Sequence, residues 1–88
     1  LVRGDSMAPT AAAGDLLGVD TSVTDYDADD LYLLKNPRGI HTFKRLQMVP
    51  DGFNIISDNV RYPPILVPTL TGYNVVGKVK IIGHFFAP

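Results

Sequence analysis

Eighty-eight residues set a ceiling of one compact domain, since a chain this short buries only about 60–65% of its unfolded surface. A composition of 45% hydrophobic and 19% charged residues excludes an intrinsically disordered chain, and a net charge of −1 leaves no positive field to condense onto a phosphate backbone. The lack of cysteine excludes disulfide staples, thiolate nucleophiles and cysteine-ligated zinc.

Along the chain, eight glycines and seven prolines interrupt every window long enough for a sustained helical pattern, so the domain reads as mainly β. Residues 7–13 alone look briefly helical. Strands are predicted at residues 15–20, 30–34, 40–49, 53–57, 65–67 and 73–86. Turns separate them at Asn36-Pro37-Arg38-Gly39, Pro50-Asp51-Gly52 and Leu70-Thr71-Gly72, each with the proline or glycine that turn geometry favours. Residues 1–88 form one unit without repeat or linker. The apolar runs Ile65-Leu66-Val67 and Ile81-Ile82 fall far short of the ~20 residues of a membrane-spanning helix, and no signal peptide opens at Leu1. With no initiator Met, the chain reads as a fragment of something longer.

Alternation in the third strand sets a chemical question. Ile40, Thr42, Lys44, Leu46 and Met48 share one face, and His41, Phe43, Arg45 and Gln47 share the other, more polar one. Lys44 is then the single charge on a predominantly apolar side. Such a lysine either snorkels its ammonium to water or loses its proton, because desolvation disfavours the charged form. The second outcome makes a general base.

Gly4-Asp5-Ser6-Met7-Ala8-Pro9-Thr10, followed by Gly14-Asp15-Leu16-Leu17, resembles the nucleophile motif of the LexA, UmuD and phage-repressor peptidase family. Phe43-Lys44-Arg45-Leu46 resembles that family's lysine strand. Ile55-Ile56-Ser57-Asp58-Asn59 with Tyr62, and then Val79-Lys80-Ile81-Ile82-Gly83, are similar to its later segments. The resemblance implies a LexA-like, signal-peptidase-like fold of twisted antiparallel sheets with little helix. It implies a Ser-Lys dyad, with Ser6 as nucleophile and Lys44 as base, and an oxyanion site formed by the backbone N–H groups of Asp5 and Ser6. It implies neither cofactor nor metal. A hydroxyl needs an adjacent base to become a nucleophile, and lysine, unlike arginine, gives up its proton when its pKa is depressed, which favours Lys44 over Arg45. Gly4 permits the tight turn. Taken alone, Ser6 also reads as a turn serine capping the segment after it, and Lys44 as a snorkelling strand lysine.

By the same resemblance, the whole protein is a bacterial or phage-encoded cytoplasmic regulator of the SOS-response type. It binds DNA only through an N-terminal domain absent here, answers to a RecA-type co-protease filament, and cuts the linker joining its halves. A homodimer through the C-terminal strand, residues 79–86, fits an ending in which Ile82, Phe85 and Phe86 leave apolar groups on both faces; closure of the core by the phenylalanines fits as well. Two other functions share these residues: a catalytically silent dimerisation module of a repressor, and the soluble part of a signal-peptidase-like enzyme. Other short matches carry little. Arg3-Gly4-Asp5 overlaps the longer motif, and Ser57-Asp58-Asn59 lacks the S-x-x-K and K-T-G partners of penicillin-recognising enzymes. Asp25, Asp27 and Asp29 alternate like a calcium loop, but Asp30 stands at its glycine and Asn36 at its closing glutamate, so a solvated acidic loop is expected. His41 and His84 lack a third zinc ligand.

Overall fold

The computed structural model describes residues 1–84. Six strands, β1 (Leu16–Asp20), β2 (Asp30–Lys35), β3 (His41–Val49), β4 (Gly52–Ile56), β5 (Ile65–Val67) and β6 (Asn74–Gly83), form one antiparallel sheet in the order β1-β6-β2-β3-β4-β5. The β2–β3 hairpin closes through Asn36, whose N–H donates to Ile40 O and whose carbonyl accepts from Gly39 N. The turn from β3 to β4 runs through Pro50 and Asp51. Leu70-Thr71-Gly72 turns the chain into β6, with Tyr73 N donating to Leu70 O. The β-rich fold class expected from the resemblance is the one found.

Residues 7–13 do not form a helix. Ala11 N donates to Met7 O at 3.0 Å and closes a single turn, which cannot propagate because Pro9 offers no N–H and biases Ala8 away from helical dihedrals. The long final strand is also shorter than expected, ending at Gly83, with Phe85 and Phe86 outside the described residues.

Two cores lie on opposite faces of the sheet. Met7, Ala11, Phe43 and Val79 form the first, and Tyr32, Leu34, Leu46 and Ile55 the second. Strand β3 feeds both, Phe43 on one side and Leu46 on the other, so neither of its faces is the polar one. The expected apolar face of β3 is interrupted at its ends, where Ile40 and Met48 are both exposed. Complete burial of Leu34 and Leu46 contributes roughly 1.5–3 kcal/mol each.

Strand β6 serves both cores by changing face. Its pairing with β2 skips Val76, as Leu33 opposes Gly77 and Leu34 opposes Val75, and its pairing with β1 skips Lys80, as Val19 opposes Val79 and Gly18 opposes Ile81. Each extra residue reverses the alternation. Val75 therefore packs with the second core and Val79 with the first. Strict alternation along the final strand would put Val76, Lys78 and Lys80 on one face, but both bulges intervene, and Lys78 is buried while Lys80 is exposed. Gly77 is required where β1 and β6 converge, since a Cβ there would stand 2.7 Å from Asp20 O.

Candidate active site

Ser6 sits on a tight turn whose entry, Gly4, has φ of 70°. The turn closes by donation from Ala8 N to Asp5 O at 3.1 Å. Its anchor is the next residue: Met7, 2% exposed, is inserted into the first core against Phe43 and Val79. Met7 Sδ also accepts from Asp58 N at 3.3 Å. Burial of one neighbour fixes the turn while leaving Ser6 itself only half-buried.

Lys44 comes to this turn from β3. Strand β4 ends at Ile56, opposite Arg45, so Phe43 and Lys44 have no strand partner on that side. The chain leaving β4 instead bonds the serine turn, with Asn59 N donating to Ser6 O at 2.9 Å. Across this gap Lys44 Nζ donates to Ser6 Oγ at 2.7 Å, joining residues 38 apart in sequence. Desolvation holds the Lys44 ammonium below the ordinary lysine pKa. Among the described residues no carboxylate pairs with Lys44. Nor does any described group accept a hydrogen bond from the backbone N–H of Asp5 or Ser6. The turn thus presents a hydroxyl, a lysine nitrogen whose pKa burial lowers, and two donors without an acceptor among the described residues.

Beside the turn lies a groove of about 500 Å³ lined by Val2, Met7, Leu17, Leu33 and Phe43, with Thr42 and His41 at its β3 side. Apolar walls next to a polar turn suit an extended peptide better than a small charged ligand.

Several partners of the turn were not assigned a role from sequence. Asp58 accepts from Arg45 Nε and Nη2, both at 2.9 Å, and from Thr10 Oγ1 at 2.5 Å. The Arg45 guanidinium holds the Asp58 carboxyl below its usual range. Tyr62 OH donates to Asp5 Oδ1 at 2.6 Å, and Asn59 Nδ2 donates to Asp5 O at 3.0 Å. The Ser57-Asp58-Asn59 and Tyr62 pattern was the available signal, but sequence alone does not say what those side chains reach.

The two histidines stand apart from each other. His41 is exposed at the groove, whereas His84 Nδ1 lies 2.7 Å from Asp15 Oδ2, a buried carboxylate that also accepts from Ala12 N. The acidic stretch is a solvent-exposed loop, as expected, but its carboxylates have partners. Asp27 engages Lys78 and Tyr32 OH, and Asp29 accepts from Tyr26 OH and Met48 N.

With this geometry in place, comparison with known proteins is decisive: the profile of the family described as Peptidase S24-like matches residues 1–85. The chain belongs to that family. Relatives of the chain include a protein of Haemophilus influenzae described as an uncharacterized HTH-type transcriptional regulator, 39% identical over 88 residues, which cover 93% of this chain and 35% of that protein. Another is the 26 kDa repressor protein of Escherichia phage HK022, 44% identical over 61 residues, which cover 69% of this chain and 26% of that protein. The chain therefore spans about a third or less of the length of these relatives. The family supports a peptidase type of reaction, and no helix among the described residues is long and apolar enough to cross a membrane.

Proposed function

We propose that this domain is the self-cleaving peptidase and dimerisation part of a LexA-like or phage-repressor-like transcriptional regulator, working through Ser6 and Lys44. The observation that carries this reading is the 2.7 Å contact between Lys44 Nζ and Ser6 Oγ in a setting that depresses the lysine pKa. The names of the two relatives support the regulatory context.

In this mechanism the neutral amine of Lys44 takes the Ser6 hydroxyl proton as Oγ bonds to the carbonyl carbon of an extended peptide in the groove. The carbonyl oxygen acquires the negative charge and accepts hydrogen bonds from the N–H groups of Asp5 and Ser6. Collapse breaks the C–N bond, and the leaving amine receives the proton held on Lys44. Water, deprotonated by the same amine, then attacks the Ser6 ester and releases the carboxylate. The substrate peptide is the linker between the two halves of the whole protein. Exposed Ile81 on β6 and Leu16 on the edge strand β1 support self-association of the domain through that side of the sheet.

The test is cleavage by the full-length protein across a pH series. The rate should rise with pH as Lys44 loses its proton and level off below the ordinary lysine pKa of about 10.4. Ser6→Ala and Lys44→Ala should each abolish cleavage, and the double variant should be no worse than either single one, because the two act as a unit. An intact protein that neither cuts itself nor cuts a supplied linker peptide at alkaline pH overturns the reading.

A further inference from the structure

A trans peptide unit is planar, with its C=O and N–H pointing in opposite directions, so whatever holds a carbonyl also aims the N–H of the following residue. The peptide joining Asp5 to Ser6 is trans, and its carbonyl oxygen accepts from both Ala8 N at 3.1 Å and Asn59 Nδ2 at 3.0 Å. The next peptide, Ser6 to Met7, has its carbonyl oxygen held by Asn59 N at 2.9 Å. One residue therefore grips both peptides flanking the Ser6 Cα, the first with its side chain and the second with its main chain.

Asn59 is itself braced. Its Oδ1 accepts from Arg61 N at 3.0 Å and its carbonyl from Tyr62 N at 3.1 Å, a local turn that fixes the amide rotamer. Asp58 before it is tied by two bonds to Arg45, the residue after Lys44 on β3. At the other end of the turn, Tyr62 OH reaches the Asp5 carboxylate at 2.6 Å. Residues 58–62 thus connect the strand that carries the amine to the turn that carries the hydroxyl. An amide suits this position, since it donates to the Asp5 carbonyl without placing a charge beside an oxygen that must become negative.

We infer that Asn59 is a positioning residue, aiming the Ser6 N–H at the reacting carbonyl oxygen, with Tyr62 as a weaker second arm that holds Asp5. The inference rests on the peptidase reading above and adds to it the element that keeps the oxyanion donors in place.

Two readouts test it on the full-length protein. In the first, its linker is supplied as a peptide and kcat and KM are measured separately over pH. Asn59→Ala should lower kcat about tenfold and Asn59→Asp about a hundredfold, the latter by adding a carboxylate near the developing charge. Tyr62→Phe should lower kcat about threefold. In Asn59→Ala and Tyr62→Phe, KM and the pH midpoint should stay fixed, since neither the groove nor the charge around Lys44 is touched. In the second, the residual dipolar coupling of the Ser6 N–H, read in serine-labelled protein, should change in Asn59→Ala while couplings elsewhere in the sheet hold. Unchanged kcat in Asn59→Ala beside an inactive Ser6→Ala overturns the inference and leaves the peptidase reading standing. If even the unaltered protein fails to cut, that reading falls, and the dipolar coupling alone decides whether Asn59 aims the Ser6 N–H.

Discussion

Lys44 and Lys78 both stand on interior strands of one sheet, β3 and β6, and their titrations are pushed in opposite directions. Lys78 is the more deeply buried, yet it sits 2.7 Å from an Asp27 oxygen and 3.8 Å from one of Asp30, with its ammonium 5.8 Å from the centre of the Tyr32 ring. The hydrogen bond to Asp27 holds it above the ordinary lysine pKa. Among the described residues Lys44 hydrogen-bonds the Ser6 hydroxyl and pairs with no carboxylate, and desolvation holds it below. Burial alone therefore does not make a base. What separates the two lysines is whether a carboxylate pairs with the ammonium.

The largest effect that tests this contrast is on rate. Lys44→Met should lower cleavage by about 10²–10⁴-fold with the sheet intact, whereas Lys78→Met should leave kcat near its starting value while lowering the melting temperature. Loss of cleavage in both would erase the distinction. Next, Ser6→Asp should convert the first environment into the second: the Lys44 amine, followed by nitrogen NMR, should titrate roughly 1–3 units higher than in Ser6→Ala. An unmoved titration would mean that something other than the missing carboxylate sets the Lys44 pKa.

Tyr32→Phe sharpens the Lys78 side. The phenol oxygen lies 2.7 Å from both Asp27 Oδ1 and Ala28 O, either of which can take its single proton, and it accepts from the backbone N–H groups of Asp27 and Ala28, so it fixes the loop that supplies the lysine's counter-charge. Its loss should cost about 1–3 kcal/mol in denaturant unfolding. The smallest effect belongs to Asp58→Asn. Arg45 holds the Asp58 pKa below its unfolded value of about 3.9, so the pair's contribution is fully present above that pH and is lost as pH falls through the folded pKa. The Arg45 side chain is 42% exposed, and screening reduces the contribution to about 1 kcal/mol or less. The stability gap between variant and parent should therefore be visible at neutral pH and close as pH falls through the folded Asp58 pKa.

How far the sequence carried these features depends on the range of the interaction. Apart from the C-terminal end of the last strand, strand positions were legible to within a residue, because turn residues such as Asn36, Gly39 and Gly52 act locally. The pairing of Ser6 with Lys44 was legible only through the resemblance of two distant motifs, since nothing in either segment alone distinguishes a nucleophile from a capping serine. Face assignments failed where the ladder slips, at Val76 and Lys80, because alternation carries no mark of an extra residue. The same blindness hid Lys78, whose partners Asp27 and Asp30 lie in a stretch that reads as solvated acid. The grip of Asn59 on Asp5 and Ser6 was equally out of reach, as a hydrogen bond between residues 54 apart leaves no trace in local pattern.

The position of β6 carries a consequence for the time at which chemistry can begin. Its neighbours in the sheet are β1 and β2, so the strand completed last among those described is the one the first two await. Val79 also closes the core that seats Met7, and through Met7 the serine turn. While the ribosome is still upstream of residue 74, the Ser6 segment has no floor, and pairings across so long a stretch of chain form late. On the function proposed above, a nascent chain keeps hydroxyl and amine apart until its own synthesis has passed β6, so that any self-cutting waits until the domain is complete.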